Sequence, residues 1–89
     1  MFTSIGAETA RIYSKEEIEN ILSELMDEGK YGIVLRAKGI VASEGEWIHF
    51  DYVPGEPDVR VGSAGVIGRL CVIGSKLDEA EIKKLFGIE

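Results

Sequence analysis

Residues 14–28 constrain the fold most, because they combine a helix start signal with an apolar stripe. Ser14 is followed three residues later by Glu17, the spacing at which each side chain can bond the other residue's free backbone N–H. Apolar side chains then recur at the spacing of one helical face: Ile18, Ile21, Leu22, Leu25 and Met26. Gly29 stands where a left-handed helix cap is common. We predict an amphipathic helix whose stripe packs on the domain's own core; a partner groove is the less common alternative.

The chain after this helix alternates with the period of two that is typical of strands. In residues 31–42 one face carries Tyr31, Ile33, Leu35, Ala37, Gly39 and Val41, and the other carries Arg36 and Lys38. A turn at 43–45 leads to a predicted return strand over 46–53. We place Ile48, Phe50 and Tyr52 of that strand in the core, and Trp47, His49 and Asp51 on the opposite face near Arg36 and Lys38. Gly39 marks either a bulge or a close backbone approach.

Three further strands are predicted at 2–12, 59–61 and 66–73. The last is apolar on both faces except for Arg69, which suits a central strand. A second helix over 75–86 takes Asp78 as N-cap and ends at Gly87. The sequence therefore predicts an α+β two-layer sandwich in β-α-β-β-β-β-α order. A mostly antiparallel sheet of four to five strands would carry both helices on one face, leaving the other face open to solvent or to a second domain.

Composition narrows the classes of function. The 89 residues form one domain at most, and their net charge of -6 argues against a nucleic-acid module. No apolar run approaches the roughly 20 residues that cross a bilayer, and no signal peptide is visible. The single cysteine, Cys71, cannot form an internal disulfide. We expect a cytoplasmic protein without nucleic-acid or membrane partners.

Motifs for catalysis and metal binding are weak. The nearest match to a P-loop, 73–76, reads Ile-Gly-Ser-Lys and lacks the required order and spacing. His49 and Asp51 could point at one ligand, but two protein ligands are too few for structural zinc. Cys71 lies in the most apolar strand, where a buried, unreactive thiol is expected, and its distance from His49 cannot be read from the sequence. We therefore assign no catalytic and no metal-binding residue.

The polar face of the predicted sheet is the remaining candidate site. Its members are Arg36, Lys38, Trp47, His49, Asp51 and Arg69. Such a face is either a docking or anion-binding surface, or a solvated face with cross-strand ion pairs. Trp47 favours docking, because so large an apolar side chain is rarely left uncovered on the outer face of a sheet.

Three runs of the chain resemble the C-terminal domain of CobW-type proteins. They are 31–41 (YGIVLRAKGIV), 47–56 (WIHFDYVPGE) and 68–75 (GRLCVIGS), followed by 77–79 (LDE), and the resemblance covers essentially the whole chain. The family consists of P-loop GTPases that act as metallochaperones or in cobalamin biosynthesis. The resemblance implies that 1–89 is a single domain excised from a longer GTPase. It also implies that GTP, Mg and a transition metal bind in the N-terminal domain of that parent protein, outside this chain.

Three functional hypotheses follow. The first is a non-catalytic client-docking or regulatory domain whose partners are a P-loop GTPase domain, in cis or in trans, and a metalloprotein client. The second is a free-standing module that holds a small anion or peptide on the open sheet face through Arg36 or Lys38. The third, an enzyme, requires an exposed Cys71 close to His49.

Overall fold

The computed structural model describes residues 2–88. Its elements are β1 (Thr3–Thr9), α1 (Lys15–Glu24), α2 (Glu28–Tyr31), β2 (Ile33–Ser43), β3 (Glu46–Val53), β4 (Glu56–Gly62), β5 (Gly68–Ser75) and α3 (Glu79–Leu85). The strands form one sheet in the order β1-β5-β2-β3-β4, and every neighbouring pair is antiparallel. The predicted α+β class is confirmed, with α2 as an additional one-turn helix. Within residues 2–88, no helix is long and apolar enough to span a bilayer.

Strand β5 lies between β1 and β2 and pairs with both. This position agrees with the prediction of a central strand. Leu70 and Val72 point into the core, whereas Arg69, Cys71 and Ile73 lie on the other face. We call the face that carries Arg69 the outer face.

The core lies between the sheet and the helices. Inward side chains of β1, β2, β3 and β5 pack there against the apolar stripes of the helices. The core includes Ile5, Val41, Ile48, Phe50, Tyr52, Val72, Ile18, Leu22, Ile82 and Phe86. The rings of Phe50 and Phe86 stack with centroids 6.1 Å apart, which ties α3 to the middle of the sheet. The apolar stripe of α1 is thus core packing, as its pattern predicted.

Helix α1 begins as predicted but ends earlier. Ser14 Oγ accepts a hydrogen bond from the Glu17 N–H at 3.0 Å, and the Glu17 carboxylate accepts one from the Ser14 N–H at 3.4 Å. The predicted end at residue 28 is wrong. The Met26 N–H bonds the Ser23 carbonyl, a tighter turn that ends the α-helix, and leaves Met26 58 % exposed. Gly29 belongs to α2 and is not a left-handed cap.

A bulge in β2 corrects one predicted face. The pairing with β5 shifts between Val34 and Arg36, so Leu35 is an extra residue on the bulged strand. Val34 is consequently buried, and Ile33 and Leu35, which the alternation placed with the core set, are each 39 % exposed. Tyr31 is buried, but it lies in α2 and not in the strand.

Helix α3 has the predicted caps, but the predicted start at residue 75 is wrong, because Ser75 is the last residue of β5 and the helix begins at Glu79. Asp78 Oδ1 accepts a hydrogen bond from the Glu81 N–H at 3.1 Å. At the other end Gly87 has φ +74°, its N–H bonds the Lys84 carbonyl, and the Ile88 N–H bonds the Lys83 carbonyl. This pair of bonds is the Schellman motif, which satisfies carbonyls that a helix end leaves free.

Candidate functional site

The strand register arranges the outer face in rows. One row runs from β1 to β4 through Glu8, Arg69, Ile40, His49 and Arg60. The next row runs through Gly6, Cys71, Lys38, Asp51 and Asp58. Arg36 lies two residues from Lys38, opposite Ile73. Cations of three different strands therefore approach one another on this face.

An open groove of about 760 Å³ runs across these rows, and we call it the outer groove. Five of the six side chains predicted from the sequence line it: Arg36, Lys38, His49, Asp51 and Arg69. Its floor is low between the longer side chains because Gly6 has no side chain and Cys71 has a small one. The groove is thus a depression in the sheet face with a charged rim.

Trp47 lies outside the outer groove, beside the loop between β4 and β5. A Cβ atom placed on Gly65 would lie 3.3 Å from the indole ring and 3.6 Å from Ile40, so this loop passes directly over Trp47. The ring is half-buried. The chain's own loop therefore covers the side chain that seemed to require a partner.

His49 is held by the same loop. Its Nε2 lies 2.8 Å from the Ser63 carbonyl oxygen, so Nε2 carries the proton in this hydrogen bond. A Cβ atom on Gly62 would lie 2.4 Å from the imidazole ring, so only glycine leaves room for it there. His49 thus fixes the loop against the sheet, and the nitrogen that faces the loop is occupied.

Arg36 and Asp51 form the best-defined ion pair of the groove. Arg36 Nε and Nη2 donate to the two carboxylate oxygens of Asp51 at 3.3 Å and 3.0 Å. These hydrogen bonds lower the pKa of Asp51 below its ordinary value, and the charges of Arg36 and Lys38 lower it further. Because the shift is downward, the pair stays charged to a lower pH than a free aspartate would.

The other arginines of the groove have weaker partners. Arg69 Nε lies 3.4 Å from Glu8, and Arg60 Nη1 lies 2.9 Å from Asp58, with more than half of each side chain exposed. Exposed pairs of this kind contribute about 0–1 kcal/mol and exchange easily for another partner. Within residues 2–88, Lys38 has no carboxylate within salt-bridge distance.

The groove reverses the charge of the chain. Its lining contains four basic side chains, Arg36, Lys38, Arg60 and Arg69, and two carboxylates, Glu8 and Asp51, which leaves +2. The whole chain carries -6, so the rest of the molecule carries -8. Asp58, which pairs with Arg60 on the same face, lies outside this lining and lowers the local charge to +1. The groove is still positive relative to the rest of the molecule, which favours anionic groups at this position.

The geometry does not favour catalysis by Cys71 and His49. Cys71 is half-buried and lines the groove, whereas the sequence placed it in a buried position. It lies on β5, and β2 separates that strand from the β3 strand of His49. Two strand spacings are about 10 Å, too far for one to activate the other directly.

The residues present do not fit a metal site. No group of three or more His, Cys, Asp or Glu side chains comes together within the described part of the chain. Asp51 is engaged by Arg36, and His49 by the Ser63 carbonyl. Both candidate ligands would have to give up these bonds to reach an ion.

Sequence reasoning left out Arg60, Glu8 and Cys71 as members of the groove. Arg60 had a visible signal, because Pro54 and Gly55 are turn residues that favour pairing of the next strand with the strand of His49. Glu8 reaches the groove only through the pairing of β1 with β5, which are separated by most of the chain. Local alternation carries no information on such a distant pairing.

Comparisons with known proteins give one matching family and two solved structures with a similar fold. The family described as cobalamin synthesis protein cobW C-terminal domain matches residues 2–87. Among solved structures, the chain is similar to the Zn(II)-bound YjiA GTPase from E. coli, with a TM-score of 0.76 and 23 % identity over 97 % of this chain. It is similarly close to a Zn(II)-bound triple mutant of YjiA GTPase, with a TM-score of 0.78 and 23 % identity over 97 % of the chain.

The chain spans 29 % of the length of each of these two structures. Among curated protein sequences, none matches the chain. The structural likeness supports the fold, and the family match extends across the strands that build the outer groove as well as across all three helices. The chain therefore belongs to the family of cobW C-terminal domains.

Proposed function

We propose that this chain is a non-catalytic docking and regulatory domain of a CobW-like, GTP-dependent metallochaperone or cobalamin-biosynthesis protein, and that its outer groove contacts the P-loop GTPase domain. The observation that carries the proposal is the charge of the groove, +2 on a chain of -6. Partners with exposed carboxylates are attracted to this face and repelled by the rest of the surface.

The lengths of the matched structures support the choice of partner. The chain corresponds to 29 % of a protein that is described as a GTPase, and it contains no P-loop of its own. A GTPase domain is therefore the natural occupant of a face that the chain's own helices leave open. In this proposal a metalloprotein client is recognised by the assembled pair.

The weak ion pairs of the groove suit reversible docking. Arg60 and Arg69 are held by exposed carboxylates of their own chain, and Lys38 has none within the described residues. An incoming carboxylate can thus bind Lys38 at once, while the arginines exchange one exposed partner for another at small cost. Salt should weaken such docking strongly, since it screens exposed charges.

Titration calorimetry tests the proposal. The 89-residue chain is mixed with the P-loop GTPase domain of a CobW-type protein from the same source. We expect saturable binding that Lys38→Glu weakens roughly tenfold, because a rim cation is replaced by a repelling anion. Lys15→Glu is the matched control: it makes the same charge change at an exposed position at the start of α1, in the helix layer.

Either of two results would contradict the proposal. One is the absence of binding to any GTPase domain, whether separate or covalently attached. The other is an equal loss of affinity in both variants, since that would make the net charge of the chain, and not the groove, the determinant. Thermal melts of both variants must match the parent chain for the comparison to count.

A second candidate function is a module that holds a small anion or peptide in the outer groove. The observation that favours it is Lys38, which has no carboxylate within salt-bridge distance among residues 2–88. The isolated chain would then bind inorganic phosphate or a short glutamate peptide saturably, and Lys38→Ala would abolish binding. A flat titration with both probes removes this candidate and leaves the docking proposal standing.

A further inference from the structure

The two edges of the sheet are protected against pairing to different degrees. The edge strand β4 carries Glu56, Pro57, Asp58 and Arg60, and charges and proline are the usual obstacles to pairing with another strand. The opposite edge strand, β1, has neither a charge nor a proline from Thr3 to Ala7. The sheet therefore offers one unguarded edge.

The backbone of β1 has free hydrogen-bonding capacity along this edge. All seven residues of β1 pair with β5, which uses the groups on one side of the strand only. Within residues 2–88, no backbone hydrogen bond joins β1 to another part of the chain. The groups on its other side are thus available to a strand of another molecule.

We propose that a second copy of this chain pairs with this edge, β1 antiparallel to β1, with the two-fold axis at Gly6. The register is self-complementary: Thr3 lies opposite Thr9 of the second copy, Ser4 opposite Glu8 and Ile5 opposite Ala7. It keeps core-facing residues on the same side of both sheets. It also places no two like charges opposite each other, and it uses the full length of the strand.

Gly6 lies at the centre of this contact, and its Cα faces the outer groove. A Cβ atom at Gly6 would have no neighbour within 4 Å, so the outer face is open at this point. Because Gly6 also lines the outer groove, the pairing would join the grooves of both copies into one continuous channel across ten strands. The proposal concerns the sheet edge and is independent of the docking function proposed for the face.

Sedimentation of the 89-residue chain over a wide concentration range tests the pairing. We expect the mass to rise from 9.7 kDa to twice that value with increasing concentration. Ser4→Glu places a carboxylate opposite Glu8 in both symmetric contacts and should weaken the dimer roughly tenfold. Ser4→Lys places a positive charge opposite Glu8 instead, and should leave the affinity of the dimer unchanged or raise it. Ser4 is exposed, so both variants should fold.

Asp58→Ser on the β4 edge is the control for location, and we expect it to leave the dimer unchanged. A mass of 9.7 kDa at every concentration overturns the proposal. Equal weakening by Ser4→Glu and Ser4→Lys overturns the register, and a response to Asp58→Ser instead of Ser4→Glu overturns the choice of edge.

Discussion

Gly39 illustrates how little space the core leaves at one position of β2. A Cβ atom there would lie 2.5 Å from the Arg69 carbonyl oxygen and 2.7 Å from two atoms of the Phe50 ring. Both neighbours are constrained, since the carbonyl belongs to the central strand β5 and the Phe50 ring stacks on Phe86. A side chain at residue 39 must therefore move either backbone or core.

We expect Gly39→Ala to lower the free energy of unfolding by about 1–3 kcal/mol, the usual cost of overpacking a core. For a domain of this size, 1 kcal/mol corresponds to a fall in Tm of about 4–8 °C. Gly6→Ala is the control, because its Cβ would meet nothing within 4 Å. Thermal melts at low concentration should show a clear loss for the first variant and about 0.5 kcal/mol or less for the second. Equal losses would refute the steric argument.

The same residue shows what the sequence can predict. A glycine within a strand pattern indicated a bulge or a close approach, and the close approach is confirmed. The bulge exists, but it lies at Leu35, an ordinary strand residue. Nothing in the composition of β2 marks that position, because a bulge depends on the register with β5, more than 30 residues away.

The start of α1 depends on the reciprocal bonds of Ser14 and Glu17. We expect Ser14→Ala to destabilise the domain by about 1 kcal/mol, because the Glu17 N–H loses its acceptor. Ser23→Ala makes the same chemical change at an exposed position inside α1, where alanine is the better helix former, and should be neutral or stabilising. Urea denaturation of both variants measures the difference; a loss of similar size in both would argue against a capping role.

Helix starts were more predictable than helix ends for a physical reason. The N-caps of α1 and α3 are local side-chain bonds three residues apart, and both are confirmed. The end of α1 is set by a tight turn after Ser23, which lets α2 carry Tyr31 into the core. The turn depends on tertiary packing, and the apolar spacing of residues 14–28 does not predict it.

In the candidate site, too, the sequence could predict the features set by local turns but not those set by tertiary contacts. The two-residue turn at Glu44 and Gly45 fixes the β2–β3 register, so the sequence could place Asp51 beside Lys38. The strand pattern placed Trp47 on the outer face but could not show that the loop between β4 and β5 covers it. Whether the six predicted side chains bind a partner stays a prediction, for which the calorimetry above is the measurement.

At the scale of the molecule, the open outer face was predictable and the strand order was not. Two amphipathic helices and a sheet make two layers, so one sheet face must remain uncovered. The order β1-β5-β2-β3-β4 requires β5 to pair between two strands that precede it in the chain. No local pattern encodes this insertion; only the apolar composition of both faces of β5 pointed to a central position.

We expect a chain shortened to residues 1–67 to be unfolded, because among residues 2–88 the only strand that pairs with β1 is β5. Circular dichroism should show no cooperative thermal transition. Adding a peptide of residues 68–89 should restore one, since it supplies β5 and α3 in the missing positions. A cooperative transition of the shortened chain by itself would mean that the β2–β3–β4 meander and α1 are stable alone.

The central position of a late strand also has a consequence for synthesis on the ribosome. While residues 1–67 emerge, both β1 and β2 present an unpaired edge, and the apolar faces of the sheet have no closed core to enter. Nascent chains in this state are exposed to association with their neighbours on the same messenger RNA. The sheet can close only after β5 has left the exit tunnel, so the chance of such association lasts until the fifth strand has been made and released.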